Sequence, residues 1–177
     1  MTRIRRLRRR LRSSVVFKNF LYMYNHAPKN YLCPFCLIVQ GKKDSVETNQ
    51  SDIIYQDRFI TAWISSRWWP NNPGNVIIVP NKHYENIYDL PVNLAAKIQS
   101  LAKKVAIALK KVYPCDGVSQ RQHNEPAGNQ DIWHYHLQVF PRYKNDRLYE
   151  NHPFKKLAPE RERIEFAGKL REYFRNL

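Results

Sequence analysis

At 177 residues and 21.2 kDa, the chain is long enough for one domain with a proper core and too short for two comfortable ones. Its 43% hydrophobic and 13% aromatic content excludes a disordered polymer, and no apolar run approaches the ~20 residues of a membrane-spanning helix. The net charge of +15 is unevenly placed: residues 1–43 carry 11 of the 30 basic side chains and no acid, and the remainder holds 19 basic against 15 acidic residues, an ordinary balance.

The excess charge is therefore a property of the N-terminus. Residues 1–14, with Arg3, Arg5, Arg6, Arg8, Arg9, Arg10 and Arg12, read as a self-repelling basic tail, and residues 15–177 as the domain. Such a run suits the phosphates of nucleic acid or of an anionic lipid surface, resembles an organelle transit segment, and is equally consistent with a solvated extension.

In chain order, Val15 to Tyr24 is an apolar and aromatic stretch expected to dock on the domain, and His26 to Asn30 is a turn that makes His26 a surface residue. Cys33-Pro34-Phe35-Cys36 follows, then a polar loop from Gly41 to Asp52. Ile53–Gln56 and Phe59–Ile64 are strands split by a tight turn at Asp57-Arg58. Pro70-Asn71-Asn72-Pro73-Gly74 is a turn, and Asn75–Val79 a continuous apolar strand. Pro91 opens a helix with Leu94, Ile98, Leu101, Val105, Leu109 and Val112 on one stripe and lysines on the other face, and Pro114 ends it. Asp116–Gln122 reads as a strand and His123–Gln130 as a polar loop. A last helix, from about Pro159 to Phe174, is expected to turn Ile164, Ala167, Leu170 and Phe174 inward. Successive strands with one inserted and one terminal helix indicate an α+β fold on an antiparallel sheet.

The most informative stretch is Trp133 to Arg142. Read as a strand, it places His134, His136 and Gln138 on one face and Tyr135, Leu137 and Val139 on the other. A neutral imidazole serves as nucleophile, base or metal ligand near neutral pH, and a carboxamide both donates and accepts hydrogen bonds. The C-x-x-C pair, with distant histidines such as His83, satisfies the four N/S ligands of structural zinc, although the same spacing also suits a redox pair. The helix context of a thioredoxin-type motif is not evident. With three cysteines and no secretory signal, metal or free thiols in a reducing compartment, the cytoplasm, is the reading preferred over disulfides.

Cys33-x-x-Cys36, Pro73-Gly74 with the strand running to Val79-Pro80-x-x-His83, the long helix, Ala127-Gly128 and His134-Tyr135-His136-Leu137-Gln138-Val139-Phe140-Pro141-Arg142 together resemble the histidine triad (HIT) superfamily of nucleotide hydrolases and transferases, from about Tyr31 to Arg142. The resemblance implies a HIT-like antiparallel sheet with one long helix and a C-terminal helix, commonly assembled as a homodimer. It also implies chemistry at the α-phosphate of a nucleotide such as a dinucleoside polyphosphate or nucleoside phosphoramidate. His136 would be the nucleophile of a covalent nucleotidyl intermediate, with Asn124, Gln130, His134 and Gln138 contacting substrate. Cys33, Cys36, His83 and His134 would hold a structural zinc. Three departures stand out: Gln138 replaces the usual third histidine, as in transferase and phosphorylase branches. Ser65, Ser66 and Arg67 stand where an acidic ribose contact is usual, and Asp131 where a serine or threonine is common. A transferase with a non-water acceptor, and a nucleic-acid-associated module using the basic tail, are the alternatives.

Overall fold

The structure, a computed structural model, describes residues 24–42 and 47–176. The basic tail and the apolar stretch up to residue 23 lie outside the described residues.

The strands in chain order are β1 (Ile53–Gln56), β2 (Ile60–Ile64), β3 (Arg67–Trp68), β4 (Val76–Pro80), β5 (Gly117–Gln122), β6 (Leu137–Arg142) and β7 (Lys156–Leu157). Five form one antiparallel sheet in the order β1-β2-β4-β6-β5, and β3 pairs with β7 in a separate two-residue ladder. The helices are α1 (Pro34–Val39), α2 (Val92–Val112) and α3 (Glu160–Arg175). Among the described residues, no helix is long and apolar enough to cross a membrane.

Side chains alternate across a strand, so the sheet has two differently used faces. On one face, Ala62, Ile64, Val76, Ile78, Leu137 and Val139 pack against Ile98, Leu101, Val105 and Leu109 of α2 and Ala167 and Leu170 of α3. Each fully buried Val, Leu or Ile side chain there contributes about 1.5–3 kcal/mol. On the other face, Trp63, Ile77 and Val79 meet Phe35 and Ile38 of α1. The helix-covered face holds the larger core, and the opposite face is left for the site.

Local chemistry sets the joints. Asp57 Oδ1 accepts from the backbone N–H groups of Phe59 and Ile60 at 2.7 and 2.8 Å, so the turn extends to Phe59 and β2 begins at Ile60. Gly74 sits at φ +79°, and a methyl there would overlap the Phe166 ring of α3, so this position needs glycine on both counts. Asp146 ties β6 to the loop before β4: it accepts a two-pronged pair from Arg142 at 2.7 and 2.8 Å and a bond from Asn72 Nδ2 at 2.7 Å.

Three expectations change. Ile164 is 40% exposed, and Arg163 takes the buried position beside it by pairing with the buried Asp52. The C-x-x-C segment does open a helix, α1, with Cys33 as its N-cap. The histidine segment becomes a strand only at Leu137, because the His134 and Tyr135 N–H groups bond instead to the carbonyls of Ile132 and Tyr84.

Candidate active site and metal-ligand cluster

The segment before β6 is not laddered and bends at residues 132–134, yet the alternation of sides survives. Tyr135 points into the helix-covered core with Leu137 and Val139. His134 and His136, 0% and 3% exposed, face the other way. Phe35 of the C-P-F-C segment packs edge-on to both imidazoles, with ring centroids 5.9 and 5.2 Å away. The sequence offered no sign of this role for Phe35.

Four sequence-distant side chains converge beside His134. The ligand atoms of Cys33, Cys36, His83 and His134 all lie within 4.8 Å of one another. The Cys33 and Cys36 Sγ atoms stand 3.2 and 3.6 Å from His134 Nδ1, and Cys36 Sγ is 3.4 Å from His83 Nδ1. Ligands about 2.0–2.3 Å from a tetrahedral ion are separated by roughly 3.3–3.8 Å, so the 3.2, 3.4 and 3.6 Å contacts match zinc, and the widest pair would close by about 1 Å around it. His134 Nε2 donates to the Pro80 carbonyl at 3.0 Å, which fixes the ring and leaves Nδ1 as the ligand atom. Without a cation, burial drives the His134 imidazolium down to about 3, while burial and the neighbouring Cys33 push the Cys36 thiol up. A divalent cation reverses the thiol preference by binding the thiolate.

His136 lies at the floor of a cleft of about 390 Å³ also lined by Gln138, Ile77, Ser65, Ser66, Asn75, Arg121 and Lys155. Its Nδ1 is 2.8 Å from the His134 carbonyl oxygen, an acceptor only, so Nδ1 carries the proton and Nε2 keeps its lone pair. Burial lowers the pKa of His136, favouring the neutral ring. Gln138 shares the cleft, and its carboxamide makes no hydrogen bond to a described residue.

Asn124 and Gln130 are not brought to the cleft. Gln130 is buried and accepts from Glu125 N at 2.8 Å while donating to the Glu85 and Ile132 carbonyls at 2.6 and 3.1 Å. Asn124 accepts from Ile87 N at 2.8 Å and exchanges bonds with Gln122. These amides hold their own loop and tie it to the Glu85–Ile87 segment, and neither lines the cleft. His134 likewise has its ring in the cysteine cluster and not in the cleft lining.

The cleft's other groups come from scattered positions. Asp131 is paired with Lys155 at 3.0 Å; burial raises its carboxyl, but the Lys155 hydrogen bond and charge outweigh that and the net shift is downward. The repulsion expected of a carboxylate beside a phosphate is thus offset. An acid does stand near Ser65, Ser66 and Arg67, supplied by Glu47 ahead of β1, which accepts from Arg67 Nε at 2.9 Å and Ser66 Oγ at 3.4 Å. Asn75 is 1% exposed, lines the cleft, and has an Oδ1 without a partner among the described residues.

Against known proteins, residues 46–145, more than half of the chain, match the HIT domain model. The chain belongs to the HIT family. A HIT-like protein of Methanocaldococcus jannaschii is 29% identical over 115 residues, 65% of this chain and 82% of that protein. Adenylylsulfatase HINT3 of Arabidopsis thaliana is 25% identical over 117 residues, 66% of this HIT chain and 55% of the plant protein. A Hit-like protein of Bartonella henselae involved in cell-cycle regulation superposes with a TM-score of 0.69 at 25% identity, covering 83% of this chain and 98% of that one. The fold is shared as well by a Zn-bound histidine triad protein of Mycobacterium smegmatis, TM-score 0.66 at 24% identity, covering 82% and 94%. The HIT match ends at residue 145, so Lys155, β7 and α3 are contributed from beyond it.

Proposed function

We propose that this HIT protein is a nucleotide hydrolase acting at the α-phosphate of a dinucleoside polyphosphate or a nucleoside phosphoramidate. The observation that carries the reading is the orientation of His136: Nδ1–H is committed to the His134 carbonyl and Nε2 is free in the cleft. Nε2 attacks the α-phosphorus as the bond from phosphorus to the leaving oxygen or nitrogen breaks, and the leaving group departs with the electron pair and is protonated from solvent. Water then cleaves the phosphorus–nitrogen bond, releasing the nucleoside monophosphate and regenerating His136. Two displacements replace one difficult one. Gln138 donates its amide N–H to a phosphate oxygen, and Asn75 Oδ1 accepts from a nucleoside hydroxyl.

Cys33, Cys36, His83 and His134 hold zinc as a closed four-ligand site, so the ion is structural and leaves no position for substrate. The three free cysteines suit the reducing cytoplasm. The protein works as a homodimer; the outer edge of β5, unpaired in the sheet order, supports this, and sedimentation analysis tests it.

Rapid quench of radiolabelled substrate into alkaline denaturant should trap an acid-labile nucleotidyl adduct on wild-type protein and none on His136→Ala. An adduct that persists in the variant removes the mechanism. A second reading, transfer to a non-water acceptor, is favoured by the unengaged carboxamide of Gln138; turnover that requires orthophosphate would select it.

A further inference from the structure

The cleft has two ends, set by strand order. One cross-strand row on the site face runs Trp63, Ile77, Gln138, Arg121 over β2, β4, β6 and β5. Asn75, Ser65 and Ser66 lie toward the β2 and β4 end, and Arg121 on β5 lies at the other. His136, two residues before Gln138, stands between them.

The cations of the cleft are not equivalent. Arg67 is paired with Glu47, and Lys155 with Asp131. Arg121 makes no hydrogen bond or ion pair to a described residue. It is nonetheless held in place, half-buried, with its guanidinium 4.5 Å from the centroid of the Trp69 ring and 5.7 Å from that of Tyr149. Aromatic rings restrain a guanidinium by its face and leave its N–H edge free, and a planar fork matches the oxygens of a phosphate or sulfate. Adjacent strands are about 4.8 Å apart, so Arg121 stands one strand beyond Gln138, on the side away from Asn75.

We infer that Arg121 is a specificity-determining residue that receives the anionic leaving group, so that the preferred substrates carry a second acidic phosphorus or sulfur group next to the α-phosphate. The inference rests on the nucleotide reading above and narrows it: polyphosphates and mixed anhydrides are favoured over phosphoramidates with uncharged or cationic amines. Binding energy at Arg121 is then spent on the departing group, whose negative charge grows as its bond breaks.

The test uses AMP and the α,β-methylene analogue of ADP, whose bridging carbon cannot be displaced, as unreactive probes of one and two phosphates, titrated calorimetrically into the intact protein. Wild type should bind the ADP analogue about tenfold or more tightly than AMP, the effect of one charge-assisted contact. Arg121→Gln should remove that margin and leave the AMP affinity within about twofold, and Arg121→Lys should restore part of it. Equal affinities for AMP and the ADP analogue in wild type overturn the inference even if no variant folds. So does a margin that survives in Arg121→Gln. Failure of wild type to bind either probe overturns the nucleotide reading itself and is distinct from both.

Discussion

His134 and His136 are two residues apart, on the same side of the chain, and both nearly sealed from solvent, yet they belong to regions built on opposite principles. The cluster around His134 is closed: two sulfurs and two imidazoles use one another, and the remaining ring nitrogen is spent on Pro80. The cleft around His136 is open: one ring nitrogen is spent on orientation, and Nε2, the Gln138 carboxamide, Asn75 Oδ1 and the N–H edge of Arg121 make no hydrogen bond to a described residue. Position within an alternating motif assigns a face. Role is assigned by what the surrounding elements leave unsatisfied.

The sharpest way to break that contrast is to exchange its outcomes. His136→Ala should lower turnover of a dinucleoside polyphosphate at least about 10³-fold, as removal of a nucleophile does, with little change in melting temperature. Cys33→Ser should do the reverse in kind: zinc content falls from about one per chain, and the melting temperature drops by roughly 10 °C, equivalent to ~3 kcal/mol at this chain length. Metal-free wild-type protein of undiminished stability would dissolve the distinction.

Asp146, which belongs to neither the cluster nor the cleft lining, supplies a control. The Arg142 hydrogen bonds hold its carboxyl well below the usual carboxylate range despite burial. Its stabilisation is therefore complete above the unfolded value near ~4 and is lost as pH falls below that toward the depressed folded value. Asp146→Asn should cost about 2 kcal/mol at pH 7 and flatten the acid limb of the stability curve; unfolding midpoints between pH 2 and pH 7 check both. Gln138→His should shift products toward hydrolysis by a few-fold if the carboxamide selects a non-water acceptor, and an unchanged ratio would make it a tolerated substitution. Deleting residues 1–12 should change turnover of a small nucleotide by less than about twofold, since the HIT match begins only at residue 46 and long-range fields are screened at physiological salt. A larger drop would attach the tail to the cleft.

Much of the fold was legible because it is periodic. The α2 stripe from Leu94 to Val112 and the apolar strand up to Val79 needed only their spacing, and the Cys/His cluster was legible through the family resemblance. Periodicity failed where a specific partner overrode it. Arg163 is buried because Asp52 receives it, which no hydropathy pattern encodes, and Ile164 is displaced to the surface. β3 and β7 are two residues each, too short to carry a pattern. Asn124 and Gln130 have the residue types a phosphate site wants, but a loop containing Pro126 and Asn129 at φ +65° consumes amides to hold its own backbone. Arg121, Glu47, Asn75 and Lys155 meet only in three dimensions. In Arg121 the single available signal was a cation placed, by strand pairing, opposite Gln138.

The His134 residue has one more consequence. Its ring is anchored through Nδ1 in the sulfur cluster and through Nε2 at Pro80, while its own carbonyl oxygen receives the proton of His136. The carbonyl that aims the reactive nitrogen thus belongs to the residue whose side chain meets Cys33 and Cys36. The clamp therefore does more than hold a distant loop: it fixes the residue whose carbonyl orients the imidazole of His136, so the closed cluster also braces the open cleft.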